Sequence, residues 1–483
     1  MQRATCWVAA WMACSAAVAA SEPLSPAHQT ALAVIAARTG DIQQVNRAIW
    51  SFAELGLEEY KSSALLVDRA KAAGFSVQTG VAGMPTAFIA SYGSGQPIIG
   101  LLAEYDALPD LSQKASPVQE PLEPGKPGHG CGHSGLGAGA LGAAIAIKEA
   151  LERHRLPGTI RLYGTPAEET TIGKVYMQLA GVFNDLDICL HWHPSSKNEV
   201  WAGSSKALVS AKFTFTGLAA HAAGSPEQGR SALDGVELMN IGVNFMREHV
   251  KEDARLHYVV TDGGGAPNVV PNTATVWYFV RADDHKDVER YFAWVQDIAK
   301  GAALMSQTRL SLTIDTDCHE LIPNRPLAEL MHQNLLRLPP PKFTAEELAF
   351  AARLQAPLAE QFGRKFELPL DDSIHELPAV PETTKGSTDV GDISWHVPTG
   401  GLRTACFAVG SPGHCWQNVA AIGSSIGDKG TIYAAQVLAC TALDLFLKPQ
   451  LVAAAKADFA ERMKNRPYTT LIPKGQKPPV KIR

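Results

Sequence analysis

The chain has 483 residues, 46% hydrophobic and 19% charged, with 43 Lys and Arg against 48 Asp and Glu for a formal net charge of −5. That length exceeds what one hydrophobic core fills, so two globular domains are expected. The slightly acidic balance and the lack of like-charge blocks exclude a basic face for nucleic acid and a charged tail for a membrane surface.

Residues 1–20 carry Arg3, an apolar stretch from Cys6 and the small-residue end AVAA before Ser21. This reads as a secretory signal cleaved near Ala20, because the apolar run is shorter than the ~20 residues of a spanning helix. The mature protein is therefore expected to be exported, to the periplasm, with no membrane attachment. Six cysteines remain beyond residue 20, and a domain this large needs no disulfide framework.

Further along, IIGLLAEYDALP, TIRLYGTPAEE, DICLHWHP and TACFAVG are short apolar runs that end abruptly in polar or proline-bearing loops. Continuous apolar strands alternating with helices predict an α/β layer with both faces covered, here an α/β/α domain. Helices are predicted over 134–152, 344–362 and 428–447, with loops filling the rest of 338–388.

Between 206 and 318 the pattern changes. ALVSAKFTFTG alternates as a half-buried strand, and the following helix sets Leu233, Val236, Met239, Ile241, Val243 and Met246 on a broad stripe. LHYVVTD and TATVWYFVRAD read as strands, a second helix sets Val288, Phe292, Val295 and Ala299 on one side, and SLTIDTD closes the set. Strand, helix, strand, strand, helix, strand is the split βαβ order of a ferredoxin-like α+β domain. It is expected as an insertion over 206–318, dividing the α/β domain into 21–205 and 319–483.

The chemistry-bearing residues gather just past the predicted strands, where such sheets collect ligands. HGCGHSG offers a thiolate and an imidazole two residues apart, Cys131 and His133, both competent for transition metals. The adjoining GLGAGA formally matches a dinucleotide fingerprint, which would make the chain an oxidoreductase. That motif needs a strand directly before it, and PGKPGHGCGHS predicts a loop. A tight turn whose small residues let a helix pack closely is a third reading.

GTPAEET adds the adjacent carboxylates Glu168 and Glu169, of which one can ligate metal while the other takes a proton from metal-bound water. CLHWHPS adds His191 and His193, and GSPGHCWQ adds His414. Cys131, His133, Glu169, His193 and His414 suffice for two divalent ions, Zn or Mn, if the thiolate bridges.

AEYDALP, HGCGHSG, GTPAEE, the HP step, GLAAHAAGSPEQGRSALD, GGGAPNVVP and STDVGDISW, in this order, resemble the aminoacylase and carboxypeptidase superfamily of dinuclear metallohydrolases over nearly all the chain after residue 30. The resemblance implies that Cys131 bridges the metals and that Glu168 is the general base beside the ligand Glu169. It implies His193 as a ligand, although related hydrolases use a position matching His191. It further implies that the insertion is a lid and dimerisation domain, that His221 reaches the partner's site to polarise the substrate carbonyl, and that Asn268 and Arg281 face a substrate carboxylate. Many relatives carry H-x-D where this chain has Glu104-Tyr105-Asp106, so Asp106 is expected to support a ligand from behind. The implied substrates are N-acyl amino acids such as p-aminobenzoyl-glutamate, or dipeptides, acted on by a homodimer or with a second subunit.

Overall fold

A computed structural model describes residues 23–479; the expected signal segment lies outside them. The first sheet begins with β1 (Ser76–Thr79), β2 (Phe88–Ser94), β3 (Ile98–Ala103), β4 (Gly158–Gly164), β5 (Ile188–Ser195) and β6 (Glu199–Trp201). A second sheet then contributes β7 (Ala207–Thr216), β8 (Arg255–Asp262), β9 (Thr273–Ala282) and β10 (Arg309–Cys318), before β11 (Thr399–Ala405) completes the first.

The order across the first sheet is β1-β2-β4-β3-β5-β11-β6. β4, β3, β5 and β11 pair in parallel, so their C-terminal ends open on one edge. Strands covered on both faces are apolar at consecutive positions, which is why these runs do not alternate.

The helices in the first part of this layer are α1 (Pro26–Ala37), α2 (Thr39–Phe52), α3 (Tyr60–Ala72), α4 (His133–His154) and α5 (Gly173–Leu179). The second sheet carries α6 (Ala232–Met246) and α7 (His285–Ser306). The remainder are α8 (Arg325–Arg337), α9 (Ala345–Phe362), α10 (Val390–Ser394), α11 (Trp416–Ile422), α12 (Ser425–Leu447) and α13 (Pro449–Arg462). α12 is apolar and long enough to cross a membrane, yet it lies buried against α4 and the sheet as core.

The Gly-Ala run after HGCGHSG lies inside α4, separated from β3 by the loop 104–132. A Cβ on Gly135 would lie 2.6 Å from Thr431 Oγ1, and one on Gly139 3.0 Å from the Trp192 ring. Those glycines serve close helix packing, and the fingerprint lacks the strand that a dinucleotide site requires.

β11 departs from expectation. The apolar run TACFAVG predicts the strand, but the strand is TGGLRTA and residues 406–410 lie past its end. The glycines that read as loop are required: a Cβ on Gly401 would lie 2.2 Å from His191 Nε2, and one on Gly400 2.9 Å from Leu327.

The second sheet has the order β10-β7-β9-β8, antiparallel throughout, which is the ferredoxin-like topology. Alternate residues of β9, from Ala274 to Ala282, bury against α6 and α7. On α6 the buried stripe is Val236, Met239, Val243 and Met246, while Ile241 is exposed. Five residues past Val236, Ile241 falls outside the 3.6-residue stripe.

The chain after α13 returns to the junction of the two sheets. Arg466 pairs with Glu320 at 2.8 Å, Tyr468 Oη donates to Asp392 at 2.7 Å, and the Leu471 amide donates to Asp317 at 2.6 Å. All six cysteines of the described part are free.

Candidate active site

All four parallel strands deliver polar residues to one edge. β3 leads into Glu104 and Asp106, β4 into Glu168 and Glu169, β5 carries His191 and His193, and the loop after β11 carries His414. Cys131 and His133 enter at the start of α4. Gly132 makes this turn with φ 81°, and a Cβ there would lie 2.9 to 3.0 Å from Phe407 and Pro194. Only glycine adopts that backbone without strain in that space.

Ala167 takes the left-handed conformation ahead of a short 3-10 turn over Glu168–Thr170. Its amide donates to Glu59 at 2.8 Å, and Glu59 also accepts from Thr86 Oγ1 at 2.9 Å. Burial, together with the charge of Asp106, pushes the Glu59 carboxyl up to about 8.

The ligand atoms fall into three groups, within each of which the atoms lie inside 4.8 Å: Cys131, His133 and His193; Cys131, Glu169 and His414; and Glu104, His133 and Glu168. Cys131 belongs to the first two, as a bridging thiolate would. Its Sγ is 3.4 Å from His193 Nε2, and His414 Nε2 is 3.3 Å from Glu169 Oε2. His193 joins the cluster. His191 does not; its ring packs against Trp201 and over Gly401.

Asp106 supports two members of the cluster. His133 Nδ1 donates to Asp106 Oδ1 at 2.8 Å, which directs Nε2 inward, and the Glu169 amide donates to Asp106 Oδ2 at 2.8 Å. An acceptor behind the imidazole fixes its tautomer and orientation.

The donor set fits divalent cations. His133 Nε2, Glu104 Oε2 and Glu169 Oε1 are buried without a hydrogen-bond partner, and the first two face each other at 3.3 Å. Against the burial that would lower it, Asp106 and Cys131 raise His133 well above the ordinary imidazole range, so without a cation Nε2 carries a proton toward Glu104, and a cation between the two would take that proton's place. Thiolate, imidazole and carboxylate are all donors to divalent transition metals.

The electrostatics of the cluster point the same way. Burial pushes Glu168 well above the usual carboxylate range, with Glu104 adding to the effect, and pushes Glu169 up to about 8. Burial also raises the Cys131 thiol. It lowers His193 to about 4 and lowers His414, keeping both imidazoles neutral as metal ligation requires. Glu168, Glu169 and Cys131 are therefore held against their ionisation until positive charge enters. The burial of Glu104 and Asp106 is instead outweighed by Lys174 and His133 respectively, which draw them below the ordinary carboxylate range.

Three expected site residues lie outside these groups. His221 is exposed in the insertion, its Nδ1 accepting from the amides of Ala223 and Gly224 at 3.2 and 3.1 Å. Asn268 is exposed beside it, its carbonyl accepting from the Ala222 amide. Arg281 is half-buried on β9, with Nη1 donating to Ser387 at 3.3 Å and Nε buried without a partner.

Sequence reasoning missed Glu104, Lys174 and Asp389. Lys174, fully buried on α5, pairs with Glu104 at 2.8 Å and Asp389 at 2.6 Å. Glu104 could have been found, since it sits two residues before Asp106 at the same strand end. Lys174 carried no local signal, and Asp389 stood within STDVGDISW without a role being read for it.

Buried donors for cations beside an unshared carboxylate, at the strand ends of an α/β layer, are the equipment of a metal-dependent hydrolase. Residues 100–417 match the model of peptidase family M20/M25/M40. The chain is 41% identical over 452 residues to the B subunit of p-aminobenzoyl-glutamate hydrolase of Escherichia coli, covering 89% of this chain and 94% of that one. It is 29% identical over 433 residues to the Xaa-Arg dipeptidase of Mus musculus, covering 86% and 88%. The fold is shared with an aminobenzoyl-glutamate utilization protein from Klebsiella pneumoniae at a TM-score of 0.57 and 18% identity, over 85% of this chain and 97% of that one. The chain belongs to peptidase family M20/M25/M40. It is a metal-dependent enzyme that hydrolyses amide bonds.

Proposed function

We propose that this enzyme cleaves the amide between an acyl group and glutamate, with p-aminobenzoyl-glutamate as the leading substrate. The observation that carries the reading is the pair of ligand trios sharing Cys131, set beside Glu168, in a chain whose relative at 41% identity bears that substrate in its name. Cys131, His133 and His193 would hold one cation and Cys131, Glu169 and His414 a second, either Zn or Mn. Such ions, when bound, acidify water and act as Lewis acids on a carbonyl.

The chain's own residues do the rest. Glu168, 3.8 Å from His133 Nε2 and outside the two trios that share Cys131, takes a proton from the attacking water and returns it to the leaving nitrogen. Asp106 holds His133 and the Glu169 turn in place. Arg281 presents a planar fork to a substrate carboxylate, and Asn268 contributes an amide.

His221 is exposed and takes no part in the ligand groups of its own chain, which supports a homodimer in which it serves the partner's site. The Escherichia coli relative is named as one subunit of its hydrolase, which makes a second, different chain a candidate partner. Residues 1–20 are assigned as an export signal, placing the mature enzyme in the periplasm.

The test is glutamate release from p-aminobenzoyl-glutamate by protein starting at residue 21, stripped of metal and then supplied with Zn or Mn. Metal-restored release is expected. Absence of release with two ions bound would overturn the substrate assignment and direct the search to Xaa-Arg and other dipeptides.

A further inference from the structure

We propose that the cleft between the Glu169–Thr170 turn and the inner face of the inserted sheet is the acyl-group pocket, built for an aromatic acyl group, with Trp277 and Phe279 determining that specificity. The inference rests on the reading of the enzyme as an acyl amino acid hydrolase and extends it to the group on the other side of the scissile bond.

β9 alternates. Ala274, Val276, Tyr278, Val280 and Ala282 are buried beneath the helices, which turns Thr275, Trp277, Phe279 and Arg281 to the opposite face. On that face Trp277 and Phe279 meet edge to face with centroids 5.5 Å apart, and the Arg281 guanidinium lies 5.4 Å over Phe279. Trp277 is fixed further by Nε1 donating to Ser210 Oγ at 2.8 Å. The rings are thus preset in one orientation before any ligand arrives, which reduces the ordering cost of binding.

The neighbouring strand widens this surface. His257 registers with Phe279, and Val259, which is exposed, registers with Trp277. Together with Glu169 and Thr170 these four side chains line a cavity of about 280 Å³, close to the ~300 Å³ lower bound of small-molecule pockets. A second cavity of about 90 Å³, lined by Leu55, Ala107, Leu108 and Pro109, shares Glu169 and Thr170 in its lining. Glu169, in the ligand group with Cys131 and His414, therefore borders both recesses.

A group extending past Glu169 from the metal cluster meets the aromatic wall of the inserted sheet. A planar ring satisfies such a wall through offset or edge-to-face contact. An acetyl group has no ring to make that contact, so the wall adds affinity selectively for aroyl substrates.

The test compares metal-loaded wild type, Trp277→Ala and Phe279→Ala on p-aminobenzoyl-glutamate and N-acetyl-glutamate, with kcat and KM resolved. Each variant is expected to lose about 10- to 100-fold in kcat/KM on the aroyl substrate, chiefly through KM, as is typical of a lost apolar pocket contact. On the acetyl substrate, which makes no such contact, it should stay within about 3-fold. A proportional loss on both substrates, or on neither, would overturn the pocket.

Because Trp277 also braces the sheet, Val259→Trp is included. It fills the cavity from an exposed position, and the expected result is a raised KM for the aroyl substrate alone. Unchanged KM in this variant counts against the pocket even if the alanine variants fail to fold. Wild type that cleaves neither substrate removes the functional reading first, and this inference with it.

Discussion

Glu168 and Glu169 are adjacent in sequence yet differ in surroundings. Glu169 is braced through its own amide by Asp106 and faces His414, whereas Glu168 points toward His133 Nε2 from 3.8 Å without a positioned partner. Removing the base leaves the ligands intact, so Glu168→Ala is expected to retain both metals by elemental analysis while kcat falls on the order of 10²- to 10⁴-fold, the usual contribution of a general base. Full turnover in that variant would remove the assignment. His133→Ala is expected to do the opposite, with metal content falling, because the imidazole lies in two of the three ligand groups. Cys131 and His133 were legible in HGCGHSG because both sit in one turn. Choosing His193 over His191 was not, since two residues of one strand face the same side, both rings meet Trp201, and only Gly401 beneath His191 against Cys131 beside His193 separates them.

The elements that carry the site depend on tight joins. At the start of α4, Gly132→Ala would impose a side chain at φ 81° with Phe407 and Pro194 within 3.0 Å. The left-handed conformation alone costs an L-residue roughly 1–2 kcal/mol. Weakened metal binding together with a lower Tm is expected, and an unchanged affinity by titration calorimetry would show that the turn adapts. A second join is Asp444 on α12, which bonds Asn334 at 3.0 Å and Arg337 at 2.8 Å on α8 and faces His28 on α1. Burial pushes this carboxyl up, but the His28, Asn334 and Arg337 contacts outweigh it and hold it at about 2, below the ordinary 3.8. A depressed folded value stabilises above the unfolded one, so about 2 kcal/mol is present above roughly pH 4 and lost as pH falls through 2. Asp444→Asn should flatten the acid limb of stability in that window, as read by denaturant midpoints across pH 2–5. The spans of α4, α9 and α12 followed from the sequence while α1–α3 and several shorter helices went unread, and β11 was shifted because Gly400 and Gly401 read as loop until Leu327 and His191 are seen packed over them.

At the scale of the whole molecule, the inserted sheet supplies residues that the α/β layer lacks. Arg281 reaches toward Ser387 from within the chain, while His221 stands exposed away from its own cluster. If it serves a partner, His221→Ala protein mixed with Glu168→Ala protein should regain activity through dimers that hold one intact composite site. Each variant alone should be impaired, with the loss of an oxyanion donor costing about 10²- to 10³-fold. No recovery on mixing, with exchange of subunits shown by mass, would place His221 outside the reaction.

The sequence by itself determined the two-sheet architecture, because strand runs without alternation and strands with period two demand different coverage. It also determined the chemical type of the site, since thiolate, imidazole and paired carboxylates past strand ends have few other uses. Tertiary structure alone decided what closes around them. Glu104 reaches His133, Lys174 arrives from α5 to balance Glu104 and Asp389, and Trp277 and Phe279 stand across a cleft from Glu169. These residues are up to 285 positions apart, from Glu104 to Asp389, and no local period or spacing encodes meetings that only the folding of the α/β layer and, for Trp277 and Phe279, the placing of the second sheet beside it bring about.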